Sequence, residues 1–102
     1  MGHKMKYKEY KDASNRLTIS LYNCPKILYW WVKRNVKNQF SLKPINNTVE
    51  GLNESFQNFE SLDGKYISID WDNWSGFTIT ALNKKSEEFL LSIGEYLKKK
   101  YT

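Results

Sequence analysis

Asp70 and Asp72 stand two residues apart in the run Ile67-Ser68-Ile69-Asp70-Trp71-Asp72-Asn73-Trp74-Ser75-Gly76-Phe77-Thr78-Ile79-Thr80-Ala81. On a strand, that spacing puts both carboxylates on one face, roughly 7 Å apart at the backbone. Glycosidases and metal nucleases use such pairs. The usual companions are missing. The single histidine is His3, in a terminal Met1-Gly2-His3 that reads as a vector-derived remnant or a disordered end. That leaves no ordinary general base and no Ser-His or Cys-His arrangement. Cys24 is the single cysteine and precedes Pro25. It cannot form an intrachain disulfide and reads as a small, half-buried residue. Asp70 to Gly76 begins like a calcium loop, but Trp74 takes the third ligand position and the glycine comes one residue late. No Cys or His set suits zinc, and no Gly-rich loop suits a phosphate. The expectation is a protein without catalytic residues, metal or cofactor.

Binding fits the same residues better. Trp71 and Trp74 flank the aspartates, and interface centres are enriched in Trp, Tyr and Arg. Acidic groups around them would steer a basic partner. A second cluster mixes Tyr29, Trp30 and Trp31 with Lys26, Lys33, Arg34, Lys37 and Lys43. Aromatics between cations suit single-stranded nucleic acid. Against that, these three aromatics read as core, and 14 of the 16 basic residues are lysine. Base reading and bidentate phosphate clamps prefer arginine.

These residues need elements to position them. Tyr66 to Asp72 and Gly76 to Leu82 read as a hairpin. Ile67, Ile69 and Trp71 alternate onto one face, matched by Phe77, Ile79 and Ala81. The other face presents Tyr66, Ser68, Asp70, Asp72, Thr78 and Thr80, with Asn73 and Trp74 in the turn. Lys4 to Tyr22 reads as an edge hairpin, its lysines on one face and Leu17, Ile19 and Leu21 inward. Residues 26–41, entered at Pro25, lean towards helix because they lack Gly and Pro. Their apolar positions run almost all round the wheel, however, and Ile, Tyr, Trp and Val also suit a strand. Asn47-Thr48-Val49-Glu50 resembles a capping box. Val49, Leu52, Phe56 and Phe59 then predict an amphipathic helix with Glu50, Glu54, Gln57 and Glu60 outside. Asp63-Gly64 would end it. Asn83 to Tyr101 predicts a closing helix, with Phe89, Leu90, Ile93, Tyr96, Leu97 and Tyr101 in one arc. Glu87 and Glu88 at its start and Lys98, Lys99 and Lys100 at its end match the helix dipole.

At 102 residues the chain reads as a single domain, residues 1–102, able to bury one core. The fold class is α+β: an antiparallel sheet of about four strands with two or three helices, the C-terminal one packed on the sheet. The net charge of +5 is uneven: residues 1–44 carry +8 and residues 45–82 carry −5. Two faces of opposite sign follow if the fold segregates these parts. The longest apolar run, Ile27 to Val32, is too short for a bilayer, and the N-terminus lacks a signal sequence. With the lone thiol, this points to the cytoplasm and to no membrane partner.

The run Gly51-Leu52-Asn53-Glu54-Ser55-Phe56, then Ile69 to Phe77, then a closing helix resembles the immunity proteins of bacterial contact-dependent growth inhibition and related polymorphic toxin systems. The resemblance spans residues 48–97. It implies a protein that binds one cognate toxin, often a nuclease, and blocks its active site or substrate surface. The basic net charge departs from the acidic members that cover nuclease sites. The candidate partner-binding residues are Asp70, Asp72, Asn73, Trp74, Tyr66, Thr78, Glu54, Glu60 and Asp63. The alternative is a small nucleic-acid-binding module using the basic N-terminal half.

Overall fold

Every described strand pairs antiparallel. The computed structural model describes residues 5–51 and 54–102. β1 (Lys6–Lys11) and β2 (Leu17–Tyr22) form the first hairpin in the register Lys6↔Tyr22 to Lys11↔Leu17. Asp12 shapes its turn, accepting N–H bonds from Ser14 and Arg16, both at 2.9 Å. The Arg16 backbone bond leads the interactions that hold the Asp12 carboxyl below its ordinary pKa. α1 (Lys26–Gln39) follows, so residues 26–41 are mainly helical as expected. Two-residue strands β3 (Lys43–Pro44) and β4 (Val49–Glu50) lead to β5 (Glu54–Glu60), β6 (Tyr66–Asp72) and β7 (Gly76–Ala81). A single 3₁₀ turn (Lys84–Ser86) opens α2 (Glu87–Tyr101). The sheet runs β1-β2-β7-β6-β5, and both β3 and β4 pair with β5.

The expected helix over residues 49–60 is overturned. Residues 54–60 are a strand, paired to β6 over seven residues from Glu54↔Asp72 to Glu60↔Tyr66. The sequence satisfies both periods: Phe56 and Phe59 fit a helical arc, while Ser55, Gln57 and Phe59 alternate. Pairing decides between them, because β6 would otherwise leave a row of backbone donors and acceptors unmatched. Asp63-Gly64 is therefore a hairpin turn and not a helix stop. Gly64 sits at φ +80°, where glycine alone is unstrained. Ser61 Oγ accepts the Lys65 N–H at 2.9 Å and donates to Asp63 at 2.5 Å. The expected capping box at Asn47 to Glu50 opens no helix, since Val49–Glu50 is a short strand. Leu52, offered for that helix, lies outside the described residues, as do His3 and Lys4. Among the described residues the sheet thus has five long strands and two short ones, more than the expected four or so.

Both helices lie on one face. Tyr29 of α1 is fully buried, packs against Phe77 in a tilted arrangement with ring centres 6.0 Å apart, and its hydroxyl donates to the Ile69 carbonyl at 3.4 Å. Leu90, Ile93 and Leu97 of α2 are fully buried. Gly94 lets that helix approach closely, since a Cβ there would collide with the Tyr7 hydroxyl and Ile19. Phe40, at the end of α1, meets Phe89 and Tyr96 edge-on. Beneath the helices the sheet contributes Ile19, Leu21, Phe59, Ile67, Ile69, Trp71, Phe77, Ile79 and Ala81. The predicted inward faces of the β1–β2 and β6–β7 hairpins are the observed ones. Among the described residues no helix lies on the other face.

Candidate functional site

The uncovered face can be built row by row from the registers. Lys8, Ser20, Thr78, Asp70, Phe56 and Val49 stand in one row across the sheet. Thr18, Thr80 and Ser68 occupy the next. Small hydroxyls therefore fill its centre. Tyr10 and Ser20 share a bond of 2.8 Å, and Thr18 donates to Thr80 at 3.4 Å. Such a floor is polar, and the chain builds its apolar core on the opposite side alone.

Asp70 sits in that floor. Burial pushes its carboxyl up to about 6, outweighing the Ser68 hydroxyl that donates to it at 2.6 Å. The Gln57 backbone and the charge of Arg16 also pull it down, and Asp72 pushes it up. Arg16 itself is committed to Asp12 at 3.1 Å. Opposite Asp70 in the register stands Thr78, whose buried Oγ1 has no hydrogen-bond partner. A desolvated carboxylate beside an unused hydroxyl is the complement of a cationic donor.

The remaining predicted residues divide by task. Asp72 shapes the β6–β7 turn: its Oδ1 accepts the N–H groups of Trp74 at 2.8 Å and Ser75 at 2.6 Å. Asn73 is exposed beside it, and Trp74 at the tip is 81% exposed. The turn closes on Gly76, at φ +72°, where a Cβ would lie 2.5 Å from the Leu21 carbonyl. Glu54 is exposed on β5 directly across from Asp72. Glu60 and Tyr66 face each other and are bonded at 3.0 Å. That bond raises the Tyr66 hydroxyl's pKa. Asp63 is exposed in the β5–β6 turn, held below the usual carboxylate range first by the Ser61 hydroxyl. Hence Asp70, Asp72, Glu54, Glu60, Tyr66 and Thr78 share the open sheet face, with Asn73 and Trp74 at one end and Asp63 at the other. β5 supplies the acids that a helix was expected to carry.

A groove of about 480 Å³ runs beside the tip, lined by Trp74, Trp71, Asn73, Tyr22, Cys24 and Pro25. Trp71 is buried, as expected, and its indole N–H donates to the Cys24 carbonyl at 2.7 Å. Burial pushes the Cys24 thiol up to about 12, so it is protonated at neutral pH. Among the described residues no three His, Cys, Asp or Glu side chains gather for a metal, and no helix is long and apolar enough to cross a membrane.

No known protein family, curated protein or solved structure matches this chain. The surface itself carries the chemistry that points to function.

One part of that surface departs from the sequence reading. Tyr29 is core, as expected, but Trp30 and Trp31 are 44% and 58% exposed, and Ile27 is 71% exposed. With Arg34 they form an i, i+3, i+4, i+7 stripe on the outside of α1. The signal was the surplus of apolar residues round the wheel. One face serves the core through Tyr29, Val32 and Val36, and the others are left over. Phe56 and Val49 are likewise exposed, side by side in the register.

Proposed function

We propose that this chain is an immunity protein: a stoichiometric inhibitor that binds a cognate bacterial toxin and covers its working surface in the cytoplasm. The observation that carries this reading is Trp74. A large aromatic side chain stands almost wholly in solvent on a turn fixed by two bonds to Asp72. A rigid turn reduces the ordering cost of docking, and buried Trp residues dominate interface energies. Asp70, with Thr78 across from it, would meet a cation of the partner. A nuclease toxin offers such groups, since its substrate surface is positive. The test is co-expression with the toxin domain encoded by the neighbouring gene. Wild type should neutralise it and bind one to one. Trp74→Ala should weaken binding by about 2 kcal/mol or more while leaving the fold intact. A neighbouring product that neither poisons the cell nor binds this chain would refute the assignment.

A second reading has one specific support: Arg34 and Lys37 stand beside the exposed Trp30 and Trp31. A small nucleic-acid-binding module would use that arrangement, and its affinity would fall steeply with salt. Filter binding of single-stranded RNA and DNA at low salt decides it.

A further inference from the structure

Between α1 and the margin of β5 lies a second groove, of about 540 Å³. Trp30, Arg34 and Lys37 form its helical wall, and Thr48 and Gln57 form its sheet wall. The sheet wall is held by its own hydrogen bonds. Gln57 Nε2 donates to the Asn46 carbonyl at 2.7 Å, and Thr48 donates to Gln57 Oε1 at 3.0 Å. Lys33 lies in the floor, its ammonium 5.0 Å from the Trp30 ring centre and 3.3 Å from Thr48 Oγ1. Arg34 and Lys37 are exposed at the mouth, and among the described residues that line the groove none is acidic.

We infer that this groove receives an acidic segment of the partner protein, with carboxylates meeting Arg34 and Lys37 and apolar side chains lying on Trp30, Trp31 and Ile27. The inference rests on the protein-binding reading above. Charge complementarity sets the sign of the occupant. The apolar stripe sets its class. A helix that shows Ile, Trp, Trp and Arg at i, i+3, i+4 and i+7 has the composition of a protein hot spot, with a polar rim on one side. Nucleic acid fits less well. Single-strand platforms offer free aromatic faces to successive bases, whereas Lys33 already stands over the Trp30 ring. Ile27, the most exposed apolar residue of the stripe, has no role in a phosphate track.

The four tryptophans make the test direct, because each gives one indole N–H signal in an ¹⁵N spectrum. Two probes are titrated at low salt: a capped hexaglutamate peptide carrying one leucine, and the oligonucleotide dT6. The peptide should shift the Trp30 and Trp31 signals saturably and leave buried Trp71 in place. The exposed changes Arg34→Glu and Lys37→Glu together should weaken that binding about tenfold or more. Three outcomes overturn the proposal: no saturable shift with the peptide, an unchanged affinity in the double variant, or tighter binding of dT6 than of the peptide at the same signals. Failure here leaves Trp74→Ala and the toxin assay untouched. If the groove fails while Trp74 still governs toxin binding, the inhibitor reading stands without this subsite. If Trp74 fails while the peptide binds, the groove stands without the hairpin anchor.

Discussion

Asp70 carries the sharpest conflict between stability and use. Its carboxyl titrates near 6 in the folded chain because burial disfavours the charge, against an ordinary value near 4 when unfolded. The folded state therefore holds this proton more tightly than the unfolded state. The contribution is fully present below pH 4 and is lost as pH rises through 6. A shift of that size is on the order of 2–3 kcal/mol. Asp12 and Asp63, held low, act in the opposite sense: their contribution is present above the usual carboxylate range and is lost as pH falls through it to their lowered values. Wild type should lose urea resistance between pH 4 and pH 7, and Asp70→Asn should flatten that fall and be the more stable protein at pH 7.5. If both proteins show the same pH profile, the carboxylate is not desolvated. A partner's cation would restore the lost stabilisation on binding, and a neutral side chain would not. Gly76 sets the other residue-scale limit. Gly76→Ala puts a Cβ against the Leu21 carbonyl at positive φ and should cost about 2–4 kcal/mol in denaturant melts.

At the scale of elements, the β6–β7 hairpin does more than expose Trp74. Asp72 was expected to touch a partner, yet its Oδ1 holds two turn amides. Asp72→Ala should therefore cost about 1–2 kcal/mol of stability and weaken toxin binding by loosening the tip. Asp72→Asn retains an acceptor oxygen and should recover part of both effects. Equal losses from the two variants would assign the residue to charge alone. The same hairpin was legible in the sequence because its alternation and its Gly76 turn agree with what the sheet requires. So were β1–β2 and α2, whereas residues 26–41 lean towards helix with a strand left open. Residues 54–60 were not legible. Their local pattern permits a helix, and the deciding partner, β6, lies across a turn whose Asp63-Gly64 signal also suits a helix end. Nuclear Overhauser contacts separate the outcomes: the strand places Phe59 beside Ile67 and Gln57 beside Ile69, and a helix over residues 49–60 would lack these cross-strand backbone contacts. The α1 stripe was half legible. A wheel with apolar residues on nearly every side says that more than one face is used, but not which residues the core takes.

Across the whole molecule, charges of opposite sign are arranged in different places. The basic N-terminal part builds the β1–β2 edge and α1, while the acids of β5 and β6 sit near the opposite edge of the sheet. The tip groove reaches Pro25 at the start of α1, and the second groove reaches Lys37 near its end. Twelve helical residues separate these points, roughly 18 Å along the axis. A standard interface takes about 800 Å² from each partner, some 28 Å across if square. The total accessible surface is 6181 Å² and the molecule measures 35 × 29 × 28 Å, so one partner is large enough to cover both grooves at once. Groups that far apart, with no shared contact, contribute independently. The losses in binding free energy from Trp74→Ala and from Arg34→Glu with Lys37→Glu should then add to within about 0.5 kcal/mol in calorimetry with the toxin. The charge reversal should also make affinity less sensitive to salt, whereas Trp74→Ala should leave the salt slope unchanged. If the combined variant binds no worse than the weaker single one, the two grooves do not serve one interface, and α1 faces something other than the toxin.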